Sequence, residues 1–158
     1  MVKSSHIFFC IILLFTSNCG FTISDKSKIF NFKIENFKTS GDKKTGFLIK
    51  NNLKKKFFNN QSNEKVLLTL LTKKTKSIKE KNLKNQITKY KINLNVVLTI
   101  NFLGSRKEKK MYVSTDGSYD VSDSHASTIN NQNNLEKTLV KETTDQIIKN
   151  LVLSVDDF

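Results

Sequence analysis

The feature that most constrains the fold is a run of apolar side chains at every second position across residues 90–102, with mainly polar side chains between them. The apolar set takes every second position, as Tyr90, Ile92, Leu94, Val96, Leu98, Ile100 and Phe102. Side chains alternate between two faces in a strand, whereas a helix needs a period of 3.6 residues, so this segment is predicted to be a β-strand. Thirteen residues at about 3.3 Å each make the strand roughly 43 Å long, with a single apolar face.

Three further segments are also predicted to be strands. Residues 30–35 alternate apolar and polar side chains, and a second strand starts at Val66 with both faces apolar before becoming basic. The third covers residues 111–121 and follows a Gly-Ser turn. Within it, we interpret Asp116-Gly117 as a β-bulge, because the alternation keeps its phase across the pair; a tight hairpin turn is the alternative.

Two segments have a helical period instead. Across residues 43–58, Ile49, Leu53 and Phe57 recur every four positions, and Asp42 is a suitable N-cap, so a short amphipathic helix is predicted. A polar loop over residues 59–63 ends it.

The second helix is predicted near the C-terminal end of the chain. Its apolar positions lie four or eight residues apart, at Leu135, Leu139, Ile147 and Leu151. Asn133 and Glu136 have the spacing of a capping box, which places the helix start there. The Ser- and Asn-rich residues 122–134 are then a polar connector.

The resulting order is β-α-β-β-β-α. A sheet with one apolar face and only two helices to cover it indicates the α+β class. We predict a two-layer sandwich in which a four-stranded, mainly antiparallel sheet carries both helices on one face. The other face, with its Lys, Asn and Thr side chains, contacts water or a polar partner.

The N-terminal segment indicates export. Lys3 and His6 precede an apolar run over residues 7–15, followed by a short polar stretch and Cys19. This is the pattern of a secretory signal, and the run is too short to span a bilayer, which takes about 20 apolar residues. A buried N-terminal strand is the alternative. The segment from Leu14 to Gly20 is similar to a bacterial lipobox, in which the cysteine is lipidated and becomes the first mature residue.

We therefore divide the chain into a lipoprotein signal peptide, residues 1–18, and a single α+β domain, residues 19–158. Cys10 lies within the apolar run and would be removed with it. Cys19 would then be the only cysteine of the mature chain, so no internal disulfide can form. Lipidation of Cys19 gives this lone cysteine a role.

No catalytic or metal-binding arrangement is visible in the sequence. His125 lies beside Asp123 and Ser124, but adjacent residues in a connector rarely reach the geometry of a catalytic triad, so a solvent-exposed histidine is expected. The paired carboxylates Asp156 and Asp157 are interpreted as a frayed C-terminus. One mature histidine without a cysteine pair cannot build a His-based metal site. The sequence predicts a non-enzyme with no cofactor and no metal.

The chain is strongly basic, with a formal net charge of +13. Lysine clusters occur at residues 54–56, 73–79 and 106–110, and such runs are usually solvated. The last cluster lies at a predicted turn, where its charges must stay close together and could bind phosphates. It consists of Arg106, Lys107, Lys109 and Lys110. Nucleic acid is not an expected partner of an exported, lipid-anchored domain, whereas anionic glycolipids and membrane headgroups are.

These features together resemble one family. They are the Cys19-Gly20-Phe21 start, the β-α-β-β-β-α order, the Tyr-x-Ile-x-Leu-x-Val opening of the long strand from Tyr90, and a last strand that ends in Ser-Tyr-Asp-Val at Val121. The pattern is similar to that of the lipopolysaccharide (LPS)-assembly lipoproteins of the LptE family, in their alphaproteobacterial form, and it covers essentially the whole chain.

The resemblance implies a non-catalytic protein anchored in the outer membrane on its periplasmic side. Such a protein plugs the β-barrel LPS translocon LptD, helps it assemble and contacts LPS. No binding residue of the family maps onto this chain by motif, so the LPS contacts at Arg106, Lys107, Lys109 and Lys110 are inferred from charge. Two alternatives are another periplasmic envelope-assembly lipoprotein of this architecture, and a secreted basic protein that binds anionic surfaces.

Overall fold

The computed structural model describes residues 32–56 and 64–153, which form four strands and two helices. In chain order these are β1 (Phe32–Gly41), α1 (Lys43–Lys56), β2 (Glu64–Lys81), β3 (Ile87–Phe102), β4 (Glu108–Asp120) and α2 (His125–Leu153). The predicted order and the α+β class are therefore confirmed. Cys19, the loop over residues 59–63, and Asp156 and Asp157 lie outside the described residues.

The strands form one sheet in the order β1-β2-β3-β4. β1 runs parallel to β2, and α1 is the crossover that such a pair requires. The other two pairs are antiparallel, so the sheet is mainly antiparallel as predicted. β2 and β3 have the longest pairing, from Val66 opposite Phe102 to Lys81 opposite Ile87. β3 begins three residues before the predicted strand, at Ile87.

Both helices cover the same face of the sheet. α1 packs on β1 and β2, α2 packs on β4 and β3, and the two helices contact each other. The apolar alternation of β3 is buried beneath them, as predicted. Its buried members are Ile92, Leu94, Val96, Leu98, Ile100 and Phe102. Ile49 and Leu53 of α1 and Leu139, Ile147 and Leu151 of α2 complete the opposite layer of the core.

The start of α1 follows the sequence prediction. The Oδ1 atom of Asp42 accepts a hydrogen bond of 2.9 Å from the backbone N–H of Thr45, which makes Asp42 the N-cap. Gly41 allows the sharp entry into the helix because its φ is 85°. A Cβ atom at Gly41 would lie 1.9 Å from the backbone oxygen of Thr72, so only glycine fits.

The predicted start of the second helix is wrong. α2 begins at His125, so residues 125–134 are helical and the capping box at Asn133 and Glu136 does not exist. Ser124 caps the helix instead, because its backbone oxygen accepts from Thr128 N–H at 3.0 Å and its Oγ accepts from Ser127 N–H at 3.4 Å. Asn, Ser and Thr are weak helix formers, so this extension depends on tertiary contacts. The side chain of Asn131, for example, donates to the backbone oxygen of Asp120.

The bulge predicted at Asp116-Gly117 is also wrong. β3 and β4 keep a continuous register there, with Asn93 opposite Asp116 and Ile92 opposite Gly117. Gly117 reflects close packing by α2, since a Cβ atom at this position would lie 2.6 Å from Cδ1 of Leu135. The sheet irregularities lie elsewhere, between Ile34 and Asn36 of β1 and near the end of β2.

The two faces of β3 predict opposite responses to added charge. Val96→Asp places an unpaired carboxylate at a position that is 2% exposed, and we expect the free energy of unfolding to fall by several kcal/mol, about the whole stability of a small domain. Asn95→Asp is the matched control, because Asn95 is exposed and its Oδ1 accepts from Ser114. Urea unfolding measures both. Equal destabilisation would contradict the assignment of the faces.

Candidate functional site

The predicted phosphate-binding cluster lies at the turn between β3 and β4. The turn is closed by a 3.0 Å hydrogen bond from Phe102 N–H to the backbone oxygen of Lys107. Arg106 has a left-handed backbone with φ at 55°. Arg106, Lys107 and Lys110 are exposed and Lys109 is half-buried. The structure therefore places all four basic side chains at one end of the sheet, as the sequence predicted.

The sheet divides this cluster between two faces. Lys109 shares the helix-covered side of β4 with Met111 and Val113, whereas Lys110 points to the opposite, open side. Lys110 Nζ lies 2.9 Å from Oε1 of Glu108. The hydrogen bond and the negative charge of Glu108 raise the pKa of Lys110, so this lysine stays protonated. With Glu108 counted, the turn carries a net charge of three positive units.

The first described residues lie at the same end of the sheet as this turn. The ring of Phe32 meets the ring of Phe102 edge-on at 6.4 Å between centroids. Leu103 N–H donates to the backbone oxygen of Lys65 at 2.9 Å, which joins the turn to the start of β2. Phe32 follows Cys19 by 13 residues, a span of at most roughly 45 Å.

The other two lysine clusters have different environments. Residues 54–56 form the last turn of α1, where basic side chains are favourable. Lys56 also pairs with Asp145 of α2 at 3.0 Å, an exposed ion pair. Residues 73–79 lie on the second half of β2, and Lys74 turns inward to a carboxylate. Neither cluster forms a single binding surface.

No sequence pattern indicated the charged network around Glu136. This carboxylate is only 8% exposed, although it was expected at a helix start. Its Oε2 pairs with Lys44 Nζ of α1 at 3.1 Å, and its Oε1 pairs with Lys74 Nζ of β2 at 3.1 Å. Gln132 donates to the same Oε1 at 3.1 Å, and Lys74 reaches Asp42 at 3.7 Å. Both helices and the sheet are thus joined at one carboxylate.

The pKa values within the network follow from these contacts. Burial alone raises the pKa of Glu136, but hydrogen bonds from Lys44, Gln132 and Lys74 outweigh it and hold that pKa below its usual value. The pKa of Asp42 is lowered in the same way, because the Thr45 hydrogen bonds and Lys74 outweigh burial. The cavity beside Glu136 has a volume of about 10 Å³, room for a single water. The network is therefore structural rather than a ligand site.

The described residues offer no support for the other chemistry considered. His125 is exposed in the first turn of α2, and the Oγ atom of Ser124 is engaged in capping. Within residues 32–56 and 64–153, no group of three or more His, Cys, Asp or Glu side chains is placed to hold a metal ion. Neither α1 nor α2 has the length and apolar character needed to cross a membrane.

Glu136 is expected to make the stability pH-dependent. The pKa of Glu136 is lower in the folded state than in the unfolded state. The ionised side chain therefore contributes its full stabilisation above the unfolded pKa of about 4.3. This stabilisation is lost as the pH falls through the folded pKa. Glu136→Gln should lower the free energy of unfolding by about 2 kcal/mol at neutral pH, since hydrogen bonds to charged groups are lost. Between pH 5 and pH 3, the free energy of unfolding should fall less for the variant than for the wild type, by a difference on the order of 2 kcal/mol.

Asp145→Asn is the control for this experiment. It removes the exposed Lys56–Asp145 pair and should cost less than about 0.5 kcal/mol. Urea unfolding across the pH range measures all three proteins. If Glu136→Gln and Asp145→Asn lower the free energy of unfolding equally at neutral pH, the Glu136 network does not stabilise the contact between the helices and the sheet.

Comparison with known proteins gives the fold but no family. No protein-family profile and no curated protein matches the chain. Among solved structures, a protein of Caulobacter crescentus that is provisionally described as a lipoprotein aligns with a TM-score of 0.56 and 14% identity, over 84% of this chain and 95% of that one. At this identity, the likeness shows a shared fold.

Two further structures are less similar. Rare lipoprotein B of Shewanella oneidensis has a TM-score of 0.47 and 14% identity, over 77% of this chain and 94% of that one. Lipoprotein B of Nitrosomonas europaea has a TM-score of 0.48 and 12% identity, over 80% of this chain and 88% of that one.

Proposed function

We propose that this chain is a lipid-anchored envelope lipoprotein that acts as the non-catalytic plug of the LPS translocon barrel LptD. In this role it helps the barrel assemble and aids insertion of LPS into the outer leaflet. The proposed anchor is Cys19, which holds the domain on the periplasmic side of the outer membrane. The fold shared with the Caulobacter protein, provisionally described as a lipoprotein, supports this class of protein.

The observation that carries the proposal is the uncovered face of the sheet. Both helices lie on the other face, so within residues 32–56 and 64–153 no helix or strand covers the open face of the four strands. Its centre presents exposed or half-buried Asn, Thr and Lys side chains, among them Asn93, Asn95, Thr99 and Lys110. The lumen of a large outer-membrane barrel is polar, and a polar sheet face is complementary to it.

One apolar row crosses this open face. Leu71 of β2 lies opposite Val97 of β3, which lies opposite Tyr112 of β4. Leu71 is 49% exposed and Tyr112 is 71% exposed. A tyrosine presents both an apolar ring and a polar hydroxyl, as interface residues often do. The row therefore offers contact area within an otherwise polar surface, which suits a stable protein partner.

The proposal predicts two results in cells. Metabolic labelling with a palmitate analogue should label the wild type but not Cys19→Ser, because the lipid needs the thiol. A barrel protein of LptD size should co-purify with the tagged wild type from solubilised outer membranes. Labelling without the barrel would favour another envelope-assembly lipoprotein. Absence of both would favour a secreted basic protein and overturn the proposal.

The basic turn is the proposed contact for LPS phosphates. Reversing Arg106, Lys107 and Lys110 to Glu should leave the domain folded, because these three side chains are exposed and exposed turns tolerate change. Lys109 is left unchanged, because it is half-buried on the helix-covered side of β4. Affinity for purified LPS should fall about 100-fold or more at low salt, since each lysine near an anionic surface contributes about 1 kcal/mol. Wild-type binding should weaken with salt, because exposed charges are screened within about 8 Å at physiological ionic strength.

The control reverses Lys54, Lys55 and Lys56 to Glu at the end of α1. This cluster is equally exposed, but one of its members is already paired with Asp145. Its reversal should change LPS affinity much less than reversal of the turn. Equal LPS binding by the turn variant and the wild type would exclude the turn as the contact while leaving the barrel proposal intact.

A further inference from the structure

The β2–β3 hairpin extends past the end of β1, and at its tip also past the end of β4, as a basic arm, which we define as residues 73–91. The last residue of β1, Gly41, lies opposite Thr72, so β1 does not cover the arm. β4 ends opposite Lys89, so only two strands continue to the tip. Every side chain from residue 75 to residue 86 is exposed. The arm tip and the Arg106 turn lie at opposite ends of β3, a strand of 16 residues or roughly 50 Å.

The tip of the arm is an ordered turn with a leucine at its apex. Asn82 N–H donates to the backbone oxygen of Gln86, and Asn85 N–H donates to that of Asn82, both at 2.9 Å. The Oδ1 atom of Asn82 also accepts from Lys84 N–H at 3.0 Å and from Gln86 N–H at 2.9 Å. Leu83 is fully exposed at the apex. Because the turn is already ordered, presenting Leu83 to a partner costs little conformational entropy.

The arm is strongly positive around this leucine. Residues 73–91 contain eight lysines and one acidic residue, Glu80. Three of the lysines are paired with carboxylates: Lys74 with Glu136, Lys89 with Glu80 and Asp120, and Lys91 with Asp116. Lys79 and Lys81 bind neutral oxygen atoms, of Ser118 and Asn85, so these contacts leave their charge uncompensated. The apex is therefore an apolar side chain within a field of positive charge.

We propose that the tip of this arm docks on an anionic phospholipid bilayer. Leu83 enters the boundary between headgroups and acyl chains, while Lys81 and Lys84 extend to the lipid phosphates. Long lysine side chains suit this position because their stems are apolar and their charged ends remain hydrated. A nucleic acid would engage the lysines but would give the exposed leucine no apolar environment. The proposal does not depend on Cys19 or on the barrel.

The chain contains no tryptophan, so a single introduced tryptophan reports on its own position. Leu83→Trp places the probe at the apex of the arm. Leu103→Trp is the matched control, because Leu103 is an exposed leucine at the opposite turn, also beside basic residues. Both are made in a chain of residues 20–158, which retains all six described elements and lacks the apolar N-terminal run. Thermal unfolding by circular dichroism checks that both variants fold.

The measurement is tryptophan emission with phosphatidylcholine vesicles that contain or lack phosphatidylglycerol. We expect the Leu83→Trp emission to shift to shorter wavelength, and to be quenched by brominated acyl chains, only with phosphatidylglycerol. Leu103→Trp should respond much less, because Leu103 is about half covered by the domain whereas Leu83 is fully exposed. K81Q/K84Q added to the probe variant should weaken partitioning about 25-fold, roughly a factor of five per lysine. Leu83→Ser, followed by vesicle co-sedimentation, should weaken it about tenfold or more.

Each contrary result overturns the inference. No response of Leu83→Trp to phosphatidylglycerol means that the tip does not enter an anionic bilayer. An equal response to neutral vesicles, or from Leu103→Trp, means that the contact is not specific to the basic arm. A response to LPS micelles without one to phosphatidylglycerol assigns the tip to a glycolipid. Barrel co-purification, measured separately, is unaffected by any of these results.

Discussion

The pairing of β2 with β3 is the interaction on which the rest of the structure depends. It runs from Val66 opposite Phe102 to Lys81 opposite Ile87 and places the longest strands at the centre of the sheet. Because β3 has apolar side chains at every second position from Tyr90 to Phe102, pairing in this register puts these seven side chains on one face. Both described helices then cover that face, and within the described residues the other face stays open. The central hairpin thus determines the two-layer form and the position of the open surface.

The Glu136 network completes this arrangement on the covered side. Lys44 of α1 and Lys74 of β2 bind the same carboxylate of α2, so one side chain contacts three elements. A buried carboxylate with two lysine partners and a glutamine is satisfied, and it favours one placement of the helices over others. Apolar contacts stabilise the core but are not directional, whereas the ion pairs and hydrogen bonds of this network specify which helix turn lies over which strand.

Charge is distributed unevenly over the molecule. Two basic ends, the Arg106 turn and the Leu83 arm, lie at opposite ends of β3, and the four-stranded open face lies between them. The open face is mostly polar with an apolar row from Leu71 to Tyr112, which suits a broad protein surface. The leucine at the turn, Leu103, is about half exposed, whereas the leucine at the apex of the arm, Leu83, is fully exposed. Three surfaces of different chemistry are thus displayed by one small domain.

The sequence by itself determined the fold class, the order of the elements and the buried face of β3. An apolar residue at every second position, or at every fourth, is a local property of the chain and predicts a strand or a helix without knowledge of distant residues. The sequence also determined the Asp42 cap and the Arg106 turn, which need only neighbouring residues. Tertiary structure decided the start of α2, since Ser- and Asn-rich residues become helical only when Asn131 and Gln132 find partners on β4. It also decided the role of Gly117 beneath Leu135 and the burial of Glu136, since their partners lie far away in the sequence. Such contacts arise from packing between elements, and no local pattern encodes them.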